Sequence, residues 1–471
     1  MKFSVYYERR EDGSYQRPLD TCLSFYWGIL GLTTLVLYFL VNMQIFSDLK
    51  KYFYFFAIFL LVYTLILMVF LGYQVYFYKS PFKAYDAWTL SEKMKAKIVE
   101  ARDLTGFRSL KRIRVPWVVI TFPDGRIKIE VAKIPGVKET DIDSLQETFD
   151  SCLTGKYRNF AITIKMVSDD RLSFIFFAED VGEDFTWIPQ KISDLKQEPY
   201  LVKLQQGLTV DLTKSPGGIG IWGSTGVGKS TVAFAIVAQL ISNVKEKKGS
   251  TIIFLDGKSE YKVLSSFYPS QFFCEDSDEI ERVLKAVVEK ELPYRQKIQE
   301  RQAFKSKKIG LSAKEAGLGP LIILADEVGN CITNRKQRKQ IGQYLTTILQ
   351  RGRSLGCFVI WVTQDPSVSG SMAVLEQGAI SQLSTKILLG SAKPEVQREV
   401  FGTSISKTNL DVPAFRGYYT SLSSKGKPGD IRRYFVPNLY KNNLSQLSTF
   451  EKLYLTSGNL SNAKLIERFK E

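Results

Sequence analysis

The sequence predicts an α/β protein, and three observations carry that reading. Short, wholly apolar runs end in polar or acidic residues; a glycine-rich turn follows one of them and opens a helical pattern; and two long uncharged runs stand apart near the N-terminus. Apolar runs of the first kind fit strands buried on both faces, as in a parallel sheet covered by helices. By composition the 471 residues divide into an N-terminal segment 1–21, a two-helix transmembrane hairpin 22–78, a small α+β module 79–205, the α/β core 206–437 and a C-terminal tail 438–471.

Composition narrows the chemistry before any motif is read. A formal net charge of +16 favours a polyanion or an anionic membrane surface as partner. There is no histidine, so mechanisms built on a histidine base, a histidine metal ligand or a Ser-His-Asp triad are excluded for the chain by itself. Proton transfer falls to carboxylates, lysines or bound water. Cys22, Cys152, Cys274, Cys331 and Cys357 lie far apart, without the close pairs of a zinc site, and read as reduced thiols of a cytoplasmic protein.

The run Cys22–Phe46 carries no charge and is long enough to cross a hydrocarbon core of about 30 Å as a helix. After a polar turn over 47–51, a second uncharged run, Tyr52–Tyr78, does the same. Lys2, Arg9, Arg10 and Arg17 before the pair, with Lys79 and Lys83 after it, outnumber Lys50 and Lys51 in the turn. The positive-inside rule therefore predicts a two-span protein of the cell membrane, with both termini and everything after the hairpin in the cytoplasm.

The next module alternates. Trp117–Phe122 and Arg126–Val131 flank Pro123, Asp124 and Gly125 and read as a β-hairpin. A helix is expected across 141–153, and the segments FAITIKMV and RLSFIFFA read as a second hairpin. No catalytic constellation stands in this stretch, which points to an adaptor or subunit-contact role.

The sharpest motif is GIGIWGSTGVGKST. Gly223, Ser224, Thr225, Gly226, Val227, Gly228, Lys229, Ser230 and Thr231 match a phosphate-binding loop between a strand and a helix, whose backbone N–H groups and positive helix end suit an anion. Lys229 is placed to reach the β and γ phosphates of ATP, and the Ser230 hydroxyl to ligate Mg²⁺. About one hundred residues on, GPLIILADEVGN ends an apolar strand with Asp326 and Glu327. Asp326 suits a metal ion held through water, and Glu327 suits polarisation of an attacking water. A further strand, Cys357–Val362, ends at Thr363 and Gln364, where a polar side chain can sense the γ phosphate or cap the strand. TIIFLDGKSE ends another strand with Asp256 and Lys258, either a salt-bridged turn or part of a DNA-contacting and nucleotide-coupling surface.

Taken in order, GSTGVGKS, FLDGKSE, LIILADE and LQRGRSLGCFVIWVTQDPS resemble the FtsK and SpoIIIE family of DNA-pumping motors, including the coupling proteins of Gram-positive conjugative elements. The resemblance covers roughly 190–435. It implies a RecA-like P-loop ATPase core acting as a ring, expected to be a homo-hexamer, with ATP between subunits and Gln364 as the polar sensor. Arg351 or Arg353 then becomes a candidate to reach a neighbouring γ phosphate, with Arg353 preferred, Arg398 as competitor, and a structural or DNA-facing role as the alternative. Gln382 stands where the family often has asparagine. RQAFKSKK and NRKQRKQ supply Arg301, Lys305, Lys307, Lys308, Arg335, Lys336, Arg338 and Lys339 as DNA-phosphate candidates. With two predicted spans and only about 35 residues after the family match, the chain looks most like a conjugative coupling protein that would deliver relaxase-bound DNA to a membrane secretion channel. A chromosome-segregation translocase and a protein-secretion ATPase are the alternatives.

Overall fold

Internal contacts divide the chain into Met1–Gly182 and Glu183–Glu471. The computed structural model describes residues 5–9, 15–16, 58–59, 62, 65, 69, 72–73, 75–100, 112–133, 145–168, 172–214, 217–243, 250–364, 374–375, 377–402, 412–422 and 431–456.

In the first unit, β1 (Val5–Arg9) pairs antiparallel with β2 (Tyr15–Gln16) and, further along the chain, with β3 (Arg112–Val115). Between them runs α1 (Pro81–Glu100), which no sequence pattern had singled out. Its Ala87, Leu90, Met94 and Ile98 recur at helical spacing and are buried, and the Ser91 hydroxyl donates to the Val118 carbonyl at 2.8 Å. The expected hairpins are present. β4 (Val118–Thr121) and β5 (Ile127–Ala132) pair across the Pro123–Gly125 turn, and β6 (Phe160–Val167) pairs with β7 (Ser173–Asp180). They form one antiparallel sheet, β4-β5-β7-β6. Ile127, Ile129 and Val131 point into the core while Lys128 and Glu130 point outward, as period-two alternation requires. The helix expected over 141–153 is α2 (Leu145–Cys152), whose Phe149 meets Phe176 edge to face.

Among the described residues no helix is long and apolar enough to cross a membrane. That corrects both the transmembrane hairpin in the expected fold class and the two-span cell-membrane topology. The expectation rested on the absence of charge over two runs. The first run lies outside the described residues, and only scattered positions of the second before Val75 are described. The helix that does have spanning length, α1, carries Lys83, Asp86, Glu92, Lys93, Lys95 and Lys97 and spends its apolar face on its own unit's core.

The second unit opens with a hairpin, β8 (Leu201–Gln205) and β9 (Leu208–Asp211). Its main sheet comprises β10 (Gly218–Gly223), β11 (Thr251–Asp256), β12 (Phe273–Cys274), β13 (Leu321–Asp326), β14 (Cys357–Thr363), β15 (Thr385–Leu389), β16 (Arg416–Ser421) and β17 (Arg432–Phe435), in the order β12-β11-β13-β14-β10-β15-β16-β17. The first six strands in that order are parallel, β16 pairs antiparallel with β15, and β17 pairs antiparallel with β16. Every residue of β10, β11 and β13 is buried, which is why those segments read as unbroken apolar runs. Helices α3 (Lys229–Ile241), α4 (Ser277–Ala286), α5 (Leu292–Ser306), α6 (Arg335–Leu355), α7 (Gln377–Ile380), α8 (Pro394–Phe401) and α9 (Leu447–Leu455) complete the unit. Gln239 on α3 accepts from the Lys203 amide at 2.8 Å and donates to its carbonyl at 2.9 Å, fastening that helix to β8.

Candidate nucleotide site

Parallel strands deliver their C-terminal ends to one edge of the sheet, where ligands of open α/β sheets gather. Here four neighbouring ends do so. β10 runs into the glycine loop and α3, β13 into Asp326 and Glu327, β14 into Thr363 and Gln364, and β11 into the turn that begins at Asp256. At Gly228, the N-cap of α3, φ is 106°, a backbone conformation that L side chains rarely adopt.

The predicted residues converge. Lys229 is only 5% exposed and donates to the carbonyls of Gly223 and Ser224 at 2.7 and 2.9 Å, so its ammonium lies inside the loop. Burial lowers its pKa, and the Glu327 carboxylate opposes that shift from 4.0 Å. Lys258 approaches the same Glu327 oxygen at 3.5 Å, and Thr363 Oγ1 donates to the other at 3.4 Å. Gln364 is exposed and accepts from Thr225 Oγ1 at 3.0 Å, which links the end of β14 to the loop itself. Ser224, Thr225 and Gly226 are exposed along the loop, Val227 and Thr231 are buried, and Ser230 is half-buried on the first turn of α3.

Asp326 is fully buried. One carboxylate oxygen accepts from the Tyr261 hydroxyl at 3.1 Å, and the other has no hydrogen-bond partner. Burial raises its pKa to about 6, against the pull of Lys258 and Tyr261. A buried carboxylate oxygen without a donor is costly unless a cation or its water completes it. The donor set therefore fits Mg²⁺, with Asp326 and the Ser230 hydroxyl as the residues to hold it. Bound there, the ion would offset phosphate charge during transfer.

Tyr261 was not anticipated. Asp256 accepts from the backbone N–H groups of Lys258 and Tyr261 at 3.2 and 2.7 Å, so it caps its own turn and sets both side chains against the acidic pair. The sequence signal is the spacing Asp256, Lys258, Tyr261 after a strand, legible only once β11 is known to lie beside β13.

Other candidates lie away from this edge. Arg351 and Arg353 are exposed near the end of α6, which leads into the first residue of β14, at the opposite edge of the sheet. Gln382 is half-buried just before β15, also at that opposite edge, and Arg398 is exposed on α8. Of the basic runs, Arg301, Lys305, Lys307, Lys308, Arg335, Lys336 and Lys339 are exposed, with Lys308 paired to Glu315. Arg338 is buried and donates to the Ile332 carbonyl, so it secures the start of α6 instead of facing a ligand.

Residues 217–351 match the family described as the central domain of helicase HerA (DUF87), a span from the entry of β10 into α6 that holds the glycine loop and the acidic pair. The core is a mixed α/β sheet with a P-loop-like turn between β10 and α3. Among solved structures the chain is similar to the pCW3 conjugation coupling protein TcpA with ATPγS, at 14% identity and a TM-score of 0.47, over 78% of this chain and 99% of that one. It is also similar to EssC (ATPases 2 and 3) from Geobacillus thermodenitrificans, at 16% identity and a TM-score of 0.41, over 59% of this chain and 52% of that one. The genome packaging NTPase B204 of Sulfolobus turreted icosahedral virus 2, in complex with sulfate, gives 16% identity and a TM-score of 0.30, over 48% and 99%. No curated protein matches the sequence.

Proposed function

We propose that this chain is a Mg²⁺-dependent ATPase that moves DNA as a ring of like subunits, and that it serves as a conjugative coupling protein passing relaxase-bound DNA to the proteins of a secretion channel. The observation that carries the enzymatic part is the meeting of Lys229, Asp326, Glu327 and Gln364 at one sheet edge. In this reading Lys229 and the loop amides hold the triphosphate, and the Glu327 carboxylate takes the proton of the attacking water. Lys258 and Thr363 orient that carboxylate, while Gln364, tied to Thr225, registers the γ phosphate. Support for DNA as the cargo comes from the motif order, from the HerA match over the same residues and from the excess of positive charge.

The test is ATP-driven removal of a protein roadblock from linear duplex DNA by the intact chain, by Lys229→Ala and by Glu327→Gln. Displacement by the intact chain alone is expected. ATP turnover by the intact chain without displacement would reject the duplex-DNA motor and assign the turnover to another cargo.

A further inference from the structure

Phe415, immediately before β16, combines two features that core packing does not require. Its φ is 63°, a left-handed conformation rarely held by a bulky side chain, and 46% of its surface is exposed. The backbone is pinned there from both sides. The Phe415 N–H donates to the Val227 carbonyl at 3.0 Å, and the Val436 N–H donates to the Phe415 carbonyl at 3.1 Å. The ring lies against the last glycine of the phosphate loop, so that a Cβ on Gly228 would stand 2.8 Å from ring carbon Cδ1. Strain of this kind persists where the surrounding structure enforces it and clusters at ligand sites.

Strand order gives the ring its meaning. The acidic pair and the Gln364 end lie on the β13 and β14 flank of the loop, and Phe415 lies on the other, the β15 and β16 flank. With a terminal phosphate between Lys229 and Glu327, this second flank is the side of the loop that offers a base a surface clear of the acidic pair. Gly390, at the end of β15, fixes the flank by donating to the Arg416 carbonyl at 2.8 Å, and Arg416 is itself held by Asp184 at 3.1 Å.

We propose that Phe415 is the platform on which the purine base of the nucleotide stacks, and that it sets the preference for a purine over a bare triphosphate. The inference rests on the nucleotide reading of the loop. An aromatic face held rigidly at a chain-enforced φ gives a base a stacking surface with little ordering left to lose on binding.

The experiment measures, on the full chain, the affinity for ATP and for inorganic tripolyphosphate by calorimetry, and the melting temperature without nucleotide. The variants are Phe415→Gly, Phe415→Ala and Phe415→Trp. Phe415→Gly is expected to weaken ATP about tenfold, the scale of one base–aromatic stack. It should leave tripolyphosphate unchanged and keep or raise the melting temperature, because glycine accepts φ near 63° without strain. Phe415→Ala should weaken ATP similarly, and Phe415→Trp should retain it. Wild-type ATP affinity in the glycine and alanine variants overturns the proposal, as does equal loss of ATP and tripolyphosphate, which would make Phe415 a prop for the loop. If the wild-type chain binds neither ligand, the nucleotide reading itself fails and takes this inference with it.

Discussion

Glu327 occupies a left-handed backbone position, φ 47° and ψ 37°, directly after β13. The turn aims its carboxylate between two ammonium groups, Lys258 at 3.5 Å and Lys229 at 4.0 Å. If Lys258 orients the proposed base, Lys258→Ala should lower kcat about tenfold and leave the KM for ATP nearly unchanged, a split that steady-state ATPase kinetics reads directly. Asp326 carries a different signature. Its folded pKa of about 6 lies above the ordinary value of 3.8, so the folded state favours the protonated form. The stability this provides is complete below pH 4 and is lost as pH rises through 6. Asp326→Asn removes that loss. In EDTA the variant should therefore melt higher than wild type at pH 8, with the difference shrinking toward pH 4. Added Mg²⁺ and ATP should stabilise the wild type more than the variant, and ATP hydrolysis by the variant should fall to background.

The element that organises the acids is the turn 256–261. Gly257 donates its N–H to the Asp326 carbonyl at 2.9 Å, and a Cβ at 257 would run into the Glu327 carbonyl and stand 3.1 Å from that of Asp326. Gly257→Ala is thus expected to cost about 1–3 kcal/mol, as overpacking does, and to displace both acids. A denaturant melt and an ATPase assay on the same preparation should fall together. This turn also marks the limit of what the sequence discloses. The strands ending at Gly223, Asp326 and Thr363 were legible because each is a buried apolar run with a polar terminus, and the phosphate loop because its spacing is local. Tyr261 and Phe415 were not, since each meets its site from another strand, 65 residues from Asp326 in one case. Arg338 was misread for the opposite reason. A basic run on an amphipathic helix gives no sign of which cation turns back to cap the chain, and burial decided it. The hairpin over 22–78 rested on two long uncharged runs and the basic residues around them, whereas α1 combines charges with a regular apolar face.

At the scale of the whole molecule, the proposed catalytic groups stand on one edge of the sheet and the candidate arginine on the other. β14 has seven residues. A strand of that length spans about 20 Å, so Arg353, just before its start, cannot reach the loop beside its end within one subunit. If Arg353 serves hydrolysis, it does so across an interface between copies, the arrangement of a head-to-tail ring. Lys229→Ala and Arg353→Ala should then each be inactive alone, one lacking the phosphate lysine and the other the neighbour's guanidinium. Mixed in equal amounts and allowed to exchange, they should recover about a quarter of the wild-type ATPase rate. That is the fraction of interfaces in which an intact loop from the arginine variant meets an intact arginine from the lysine variant. Recovery of that size assigns Arg353 to the neighbouring site and makes the ring a requirement of chemistry. A mixture as inactive as its components would remove Arg353 from the interface and leave Arg351 and Arg398 to be tested in the same pairing.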